Sequence, residues 1–317
     1  MATRRSKSTA DHFNELTTDV NELFGDTHSD AVPSADPIAQ DSSRWGWGGN
    51  NVSLVNKGDK ITAAHTNELV NRINISTART NSSEQELVIV SQGDKINAEF
   101  FNTVTSLLEG ARNVRNEVDP SLTTLSTLAS YGYSENWTQT IQNSITLDFG
   151  SYNEARHFFN AGGDIRLSFS IANGTGQGYE IWRSILVDMG TLKLNVASCV
   201  SLNNRGISQE KGFSELLTNE ALLYTSPTGS GGGYGGYGGY GGYGGYGGYA
   251  SSRLKIFGQI NNGNLVLRVE LDHAGLGTTV TGNVTMSVAM SHPTTQTENN
   301  VTLAIPTPTI TQSDPWH

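Results

Sequence analysis

From about residue 119 to residue 305 the chain repeats one pattern: apolar residues at every second position, in short runs separated by turn-forming residues. "ITLDF" sets Ile145, Leu147 and Phe149 on one face, and "IRLSFSI" sets Ile165, Leu167, Phe169 and Ile171. "LKLNV", "RLKIFGQI", "LVLRVEL", "VTMSVAM" and "VTLAI" continue the pattern. A period of two sends alternate side chains to opposite faces of a pleated strand, so each run has one face to bury and one to leave in water. Seven such runs, with Asn262-Gly263 as a turn between two of them, predict a mainly β fold. The expected form is an antiparallel β-sandwich or jelly-roll-like domain. Two stretches change to helical spacing, "SYNEARHFFNAG" and "YEIWRSILVDMG", and read as short helical insertions. In the second, Tyr179, Trp182, Leu186 and Met189 share a face and Gly190 is the stop.

Ahead of these strands lies a duplication. "VNKGDKITAAHTNELVNRIN" from Val55 and "VSQGDKINAEFFNTVTSLLE" from Val90 share Val, Gly-Asp-Lys-Ile, Ala and the pair Asn67/Asn102 at an offset of 35 residues. In each copy a Gly-Asp turn leads through Ile61 or Ile96 to an N-cap type residue, Thr62 or Asn97, and then to a helix. Leu69 and Ile73, and Val104 and Leu108, supply the apolar faces. Trp45 and Trp47 of "RWGWGGNN" are candidates to cap a small core. Further upstream, "TADHFNELTTDVNELFG" carries Phe13, Leu16, Val20, Leu23 and Phe24 on one helical face, with Gly25 as a stop. A lone helix of that length is marginal in water, so its face packs on another subunit or on the rest of the chain. "DTHSDAVPSADPIAQDSS", acidic and without periodicity, reads as an extended linker. The expected organisation is therefore an N-terminal helix and acidic arm (1–44), a helical adaptor module (45–118), a β-domain (119–305) and a C-terminal extended tail (306–317).

One segment belongs to neither pattern. "GSGGGYGGYGGYGGYGGYGGYA", residues 229–250, places Tyr234, Tyr237, Tyr240, Tyr243, Tyr246 and Tyr249 at every third position with almost only glycine between. The tract falls between strands of one alternating pattern, so it is a loop displayed from the β-domain and not a domain linker. Two readings stay open. Glycine loses the most backbone entropy on ordering, which favours a mobile loop. In a threefold extended helix, all six tyrosines would align along one edge as rigid amphipathic contacts for sugars or another subunit. These tyrosines are the candidate binding residues.

The chemistry the sequence excludes is broader than the chemistry it offers. Charged residues are only 16% of the chain, and the formal charge of −10 opposes a nucleic-acid partner, which needs clustered cations. The one basic cluster, Arg4, Arg5 and Lys7, reads as a short solvated terminus. Cys199, the single cysteine, has no partner for an internal disulfide and reads as a small buried residue. No apolar run is long enough to insert in a membrane, and no apolar signal region follows the first charges, which places synthesis in a cytoplasm. Seven N-x-S/T sequons, at Asn51, Asn74, Asn81, Asn136, Asn173, Asn283 and Asn300, are expected by chance in a chain this rich in Asn, Ser and Thr. No nucleophile elbow, zinc-protease, P-loop or EF-hand motif occurs, and "GTGQGY" at 174–179 reads as a hairpin turn, not a phosphate cradle. Among His12, His28, His65, His157, His273, His292 and His317 no two share a ligand spacing, and Asp272-His273 reads as a solvated strand end before a cation site. No cofactor or metal is called for.

The blocks "ITLDFGSYNEARHFFNAGGDIRLSFS", "YEIWRSILVDMGTLKL" and "QINNGNLVLRVELDHAGLGTTVTGNVTMSV", together with the "GDKITA…NELVNRI" module, resemble structural proteins of tailed-bacteriophage virions. The resemblance covers about residues 45–305 and brings no catalytic residues; the glycine–tyrosine tract departs from it. It implies a non-enzymatic tail, neck or fibre component that binds other virion proteins; the unpaired amphipathic helix at the N-terminus suggests a homo-oligomer, and virion symmetry favours a trimer or hexamer. The alternatives are a host-binding adhesin, with a surface glycan as its partner, and a polysaccharide-degrading tail enzyme whose carboxylate pair only a through-space separation would reveal.

Overall fold

The computed structural model describes residues 10–25, 46–56, 58–80, 86–94, 96, 98–226, 252–274 and 278–317. The chain is mainly β and divides into two compact units: residues 1–124, 156–163 and 292–307 form one, and 125–155, 164–291 and 308–317 the other. Arg4, Arg5, Lys7, the acidic stretch, Trp45, Asn97 and all six tract tyrosines lie outside the described residues.

The second unit is the expected antiparallel sandwich. Its first sheet has the order β1 (Thr123–Tyr133), β10 (Asn283–Pro293), β3 (Asp164–Ala172), β4 (Leu192–Leu194), β5 (Cys199–Ser201). Its second runs β13 (Thr309–Asp314), β2 (Ile141–Asp148), β9 (Asn264–Asp272), β8 (Arg253–Asn261), β7 (Ala221–Thr225), β6 (Ile207–Ser208). The alternation decides which face is core. Leu254, Ile256 and Ile260 of β8 and Leu265, Leu267, Val269 and Leu271 of β9 are buried, as are Ile165, Leu167, Phe169, Val284, Met286 and Val288 of β3 and β10. Each such side chain contributes about 1.5–3 kcal/mol when fully buried. Asn262 and Gly263, both at positive φ (50° and 83°), close the β8–β9 hairpin as a two-residue turn of the hairpin type. The insertions are α4 (Tyr152–Asn160) and α5 (Gly176–Met189).

Four expectations change. "VTLAI" supplies β12 (Val301–Leu303), which pairs with β11 (Gln296–Glu298) in a separate hairpin of the helical unit instead of the sandwich. Residues 309–314 of the expected tail form β13, which pairs with β2; its single apolar residue, Ile310, gives no face for periodicity to detect. The boundaries at 118 and 305 give way to an interleaved division, because a run's period is local while its partner is chosen by distant sequence. "GTGQGY" is a helix entrance: Thr175, extended, precedes α5 at Gly176, since the helical spacing already begins inside the stretch.

In the first unit α1 (Ala10–Phe24), α2 (Ala63–Thr80) and α3 (Ala98–Asn113) pack together. Phe13, Leu16, Val20, Leu23 and Phe24 of α1 are buried there with Leu69, Ile73, Val104 and Leu108, so the apolar face of α1 is satisfied within the chain. Trp47 is buried, donates to the carbonyls of Arg115 and Asn160 at 3.2 Å each, and offers its ring face to Arg79, 5.1 Å away. Burial pulls the Arg79 guanidinium down to about 9. Both copies of the duplication make the same turn. Asp59 N–H donates to Asn56 O and its carboxylate accepts from Asn56 N–H; Asp94 and Ser91 repeat this, and Gly58 and Gly93 both stand at φ +99°. That conformation asks for glycine. Thr62 caps α2 as expected, its hydroxyl accepting from His65 N–H.

The segments leading into these turns, 51–55 and 86–90, pair with no strand among the described residues. Asparagine side chains hold them instead. Asn14 and Asn21 of α1 each bond both the N–H and the C=O of one residue, Val55 (2.9 and 2.9 Å) and Val52 (2.7 and 2.9 Å) respectively. Asn67 and Asn74 of α2 do the same to Val90 (2.8 and 2.9 Å) and Leu87 (2.9 and 2.9 Å). An amide satisfies donor and acceptor of one peptide residue as a neighbouring strand would. The β11–β12 hairpin adds Glu298, accepting from Asn74 at 3.1 Å, and Asn299, donating to Asn71 at 2.9 Å.

Candidate functional site

The candidate tyrosines lie outside the described residues, but both ends of the segment that carries them are defined. It leaves after β7 and returns into β8, and these strands are antiparallel neighbours with Tyr224 opposite Ile256 and Thr225 opposite Lys255. The ladder extends one residue past β7: Ser226 N–H donates to Leu254 O at 2.8 Å, and Leu254 N–H to Ser226 Oγ at 2.9 Å. On the returning side, buried Ser252 takes a hydrogen bond from Ala274 N–H (3.2 Å) and lies 3.4 Å from His273 Nδ1.

A Ser–His contact invites a catalytic reading, and the chemistry of the donors decides against it. The indole N–H of Trp182 can only donate, and it meets His273 Nδ1 at 3.3 Å. Nδ1 is therefore an acceptor already in use, and the ring proton sits on Nε2, facing Thr278 O at 3.3 Å and its hydroxyl at 3.2 Å. Burial lowers the His273 pKa, against the opposite pull of the Thr278 carbonyl and Asp272. The imidazole is a neutral pin joining α5, the end of β9 and the return of the tract. Trp182 is itself fixed in an aromatic series, with Trp137 at 6.4 Å and Tyr133 a further 6.0 Å on. The expected solvated strand end at Asp272-His273 is half right: His273 is buried, while Asp272 is held by Lys255 (2.9 Å) and Thr140 (3.1 Å). The two side chains do not converge on a cation, and among the described residues no group of three potential ligands does.

The polar face of the second sheet gathers charge close to this root. Lys255 bridges Glu270 (2.8 Å) and Asp272, and Arg268 grips Glu220 with two bonds of 2.7 Å, reaches Glu270 at 2.9 Å and covers the Phe257 ring at 4.0 Å. Burial works to raise the Glu270 pKa, but Lys255 and Arg268 prevail and hold it below the ordinary range. A carboxylate held ionised in this way is a poor general acid, which needs a raised pKa. Three other histidines are dispersed: His12 faces Glu15, His65 the cap of α2, and His317 the Gln142 side chain.

Ser226, Ser252, His273 and Trp182 were not legible as a group. Their one signal is the serine on each flank of the tract, in "YTSPTGS" and "YASSRL". Among the described residues no helix is long and apolar enough to cross a membrane. Comparison with protein families, curated proteins and solved structures gives no match.

Proposed function

We propose that this protein is a non-enzymatic structural component of a tailed-phage virion, in the tail, neck or fibre apparatus, which assembles with itself and with other virion proteins and presents the glycine–tyrosine tract as a contact surface. The observation that carries the reading is the root of the tract. Its two ends are held on neighbouring antiparallel strands by Ser226, Ser252 and His273, so the segment that carries the six tyrosines starts and finishes at one end of the sandwich. Tyrosine gives rigid contact area at low entropic cost, which suits glycan or protein recognition.

Mass spectrometry and immunogold labelling of purified particles test the location; absence from the particle ends the reading. Replacing Tyr237, Tyr240, Tyr243 and Tyr246 with serine tests the surface. The fold is retained, and adsorption falls where the partner is a host glycan, or assembly where it is another virion protein. Particles that assemble and adsorb like the parent reduce the tract to a spacer.

A further inference from the structure

The helical unit is a repeat in which each helix holds the segment that leads to the next helix. Asn14 holds Val55, which lies twelve residues before Asn67; Asn67 holds Val90, twelve residues before Asn102. The sequence contains a third copy of the motif. "KSTADHFNEL" from Lys7, "KITAAHTNEL" from Lys60 and "KINAEFFNTV" from Lys95 align without a gap, with Lys first, Ala fourth and Asn eighth. Residues 26–45 are an insertion in the first unit, since Gly25 and Gly46 on its two sides are adjacent: Trp47 N–H and Gly48 N–H donate to Leu23 O (3.1 Å) and Gly25 O (3.2 Å).

Three units need three links, and two are made. Asn102 of α3, the counterpart of Asn14 and Asn67, is exposed and makes no side-chain hydrogen bond among the described residues. At the other end, no helix among the described residues precedes α1, and the residue twelve before Asn14 is Ala2. We infer that α3 is a docking site for the N-terminal segment, residues 1–9, of a second copy of this chain, with Asn102 bonding the backbone of Ala2 of the next copy. Charge favours the same occupant. A groove of about 660 Å³ between α1 and α3 is lined by Asp11, Glu15, Asp19 and Thr105, and the segment carries Arg4, Arg5 and Lys7, the one basic cluster of the sequence. Glu109, seven residues after Asn102 where α1 and α2 have Asn21 and Asn74, accepts but does not donate, so the site offers one full asparagine clamp and leans on charge for the rest. The contact is head to tail, which closes into a ring when the rotation between copies allows it.

This surface rests on the self-association in the reading above, but its test reads assembly in solution alone, so either can fail without the other. In the full chain, Ala2→Cys combined with Asn102→Cys yields disulfides between copies under mild oxidation. Cys199 stays silent, since it is buried and burial pushes its thiol up to about 12. Asn102→Ala raises the dissociation constant of the oligomer about tenfold in sedimentation, a loss of about 1.4 kcal/mol, with an unchanged melting temperature at concentrations where the protein is monomeric, because the side chain is exposed in the single chain. Removing residues 1–9 does the same, and Arg4→Glu with Arg5→Glu weakens association less. A monomer at all concentrations, a disulfide formed only within one chain, or self-association indifferent to Asn102→Ala overturns the inference.

Discussion

The two units meet the same requirement, partners for extended backbone, in opposite ways. In the sandwich, β8 and β9 satisfy each other through nine registered residue pairs, and the side chains are free to divide into core and surface. In the helical unit the extended segments have no strand beside them among the described residues, and four asparagines do the work of a strand. A ladder spreads its bonds over many residues and tolerates side-chain change. A side-chain clamp concentrates them, so the helical unit is the more fragile to single substitutions.

Asn74→Leu gives the largest effect. It removes two bonds to Leu87 and one to Glu298 and leaves buried backbone groups without partners, for a loss of about 3 kcal/mol in urea or thermal unfolding. Ser287→Ala on the polar side of β10 shifts stability by less than about 0.5 kcal/mol, because the pairing with Ser168 is made by backbone. Equal losses at the two sites break the comparison. Next, Gly58→Ala and Gly93→Ala each cost about 1–2 kcal/mol, since both glycines stand at φ +99° with open space around a new Cβ. Calorimetry that finds the pair unequal dissolves the equivalence of the two turns.

A smaller effect is set by pH. The pKa of His273 in the folded protein lies below its ordinary value of 6.5, so on acidification the unfolded chain takes up the proton first. The stabilisation is complete above pH 6.5 and declines as pH falls through that value toward the folded one. His273→Gln flattens this slope in unfolding midpoints followed by tryptophan fluorescence; a slope that survives assigns it elsewhere. A small effect also belongs to the two inserted segments. Removing residues 26–45 or 227–251 and rejoining with a short Gly-Ser turn changes stability by less than about 1 kcal/mol, since shortening a loop gains only about 0.6 kcal/mol per halving. A larger loss in melting experiments shows that a segment contributes to the body it leaves.

What the sequence discloses follows the same division. Strands with one buried face announce themselves: β2, β3, β8, β9 and β10 are all anticipated from Ile145, Leu167, Leu254, Val269 and Val284 and their alternating neighbours. Strand β1 is not, because none of its residues is buried and no face carries a period. The allegiance of β12 is hidden for another reason. Val301 and Leu303 alternate correctly, but whether they face a sheet or α2 depends on contacts some 230 residues away, such as Asn299 with Asn71. The asparagine clamps were hidden by their own chemistry, since a polar residue on a helix reads as solvated surface, and Asn74 looks like a chance sequon. The first copy of the repeat was masked by the insertion between α1 and its extended partner, which leaves it at an offset of 53 residues where the second pair has 35.

The pairing at the root of the tract also fixes how the molecule responds to force. A pull applied through the tyrosines enters two antiparallel neighbours at the same end, so hydrogen bonds are loaded one after another, as a zipper is opened, and not all at once in shear. Resistance on the two sides is unequal. Strand β8 is anchored to β9 by nine registered pairs, while β7 is held to β8 by four, interrupted by a bulge between Leu222 and Tyr224, and to β6 by two. Under tension β7 peels first, from Ser226 and Thr225 inward, lengthening the tether while β2, β8 and β9 stay folded.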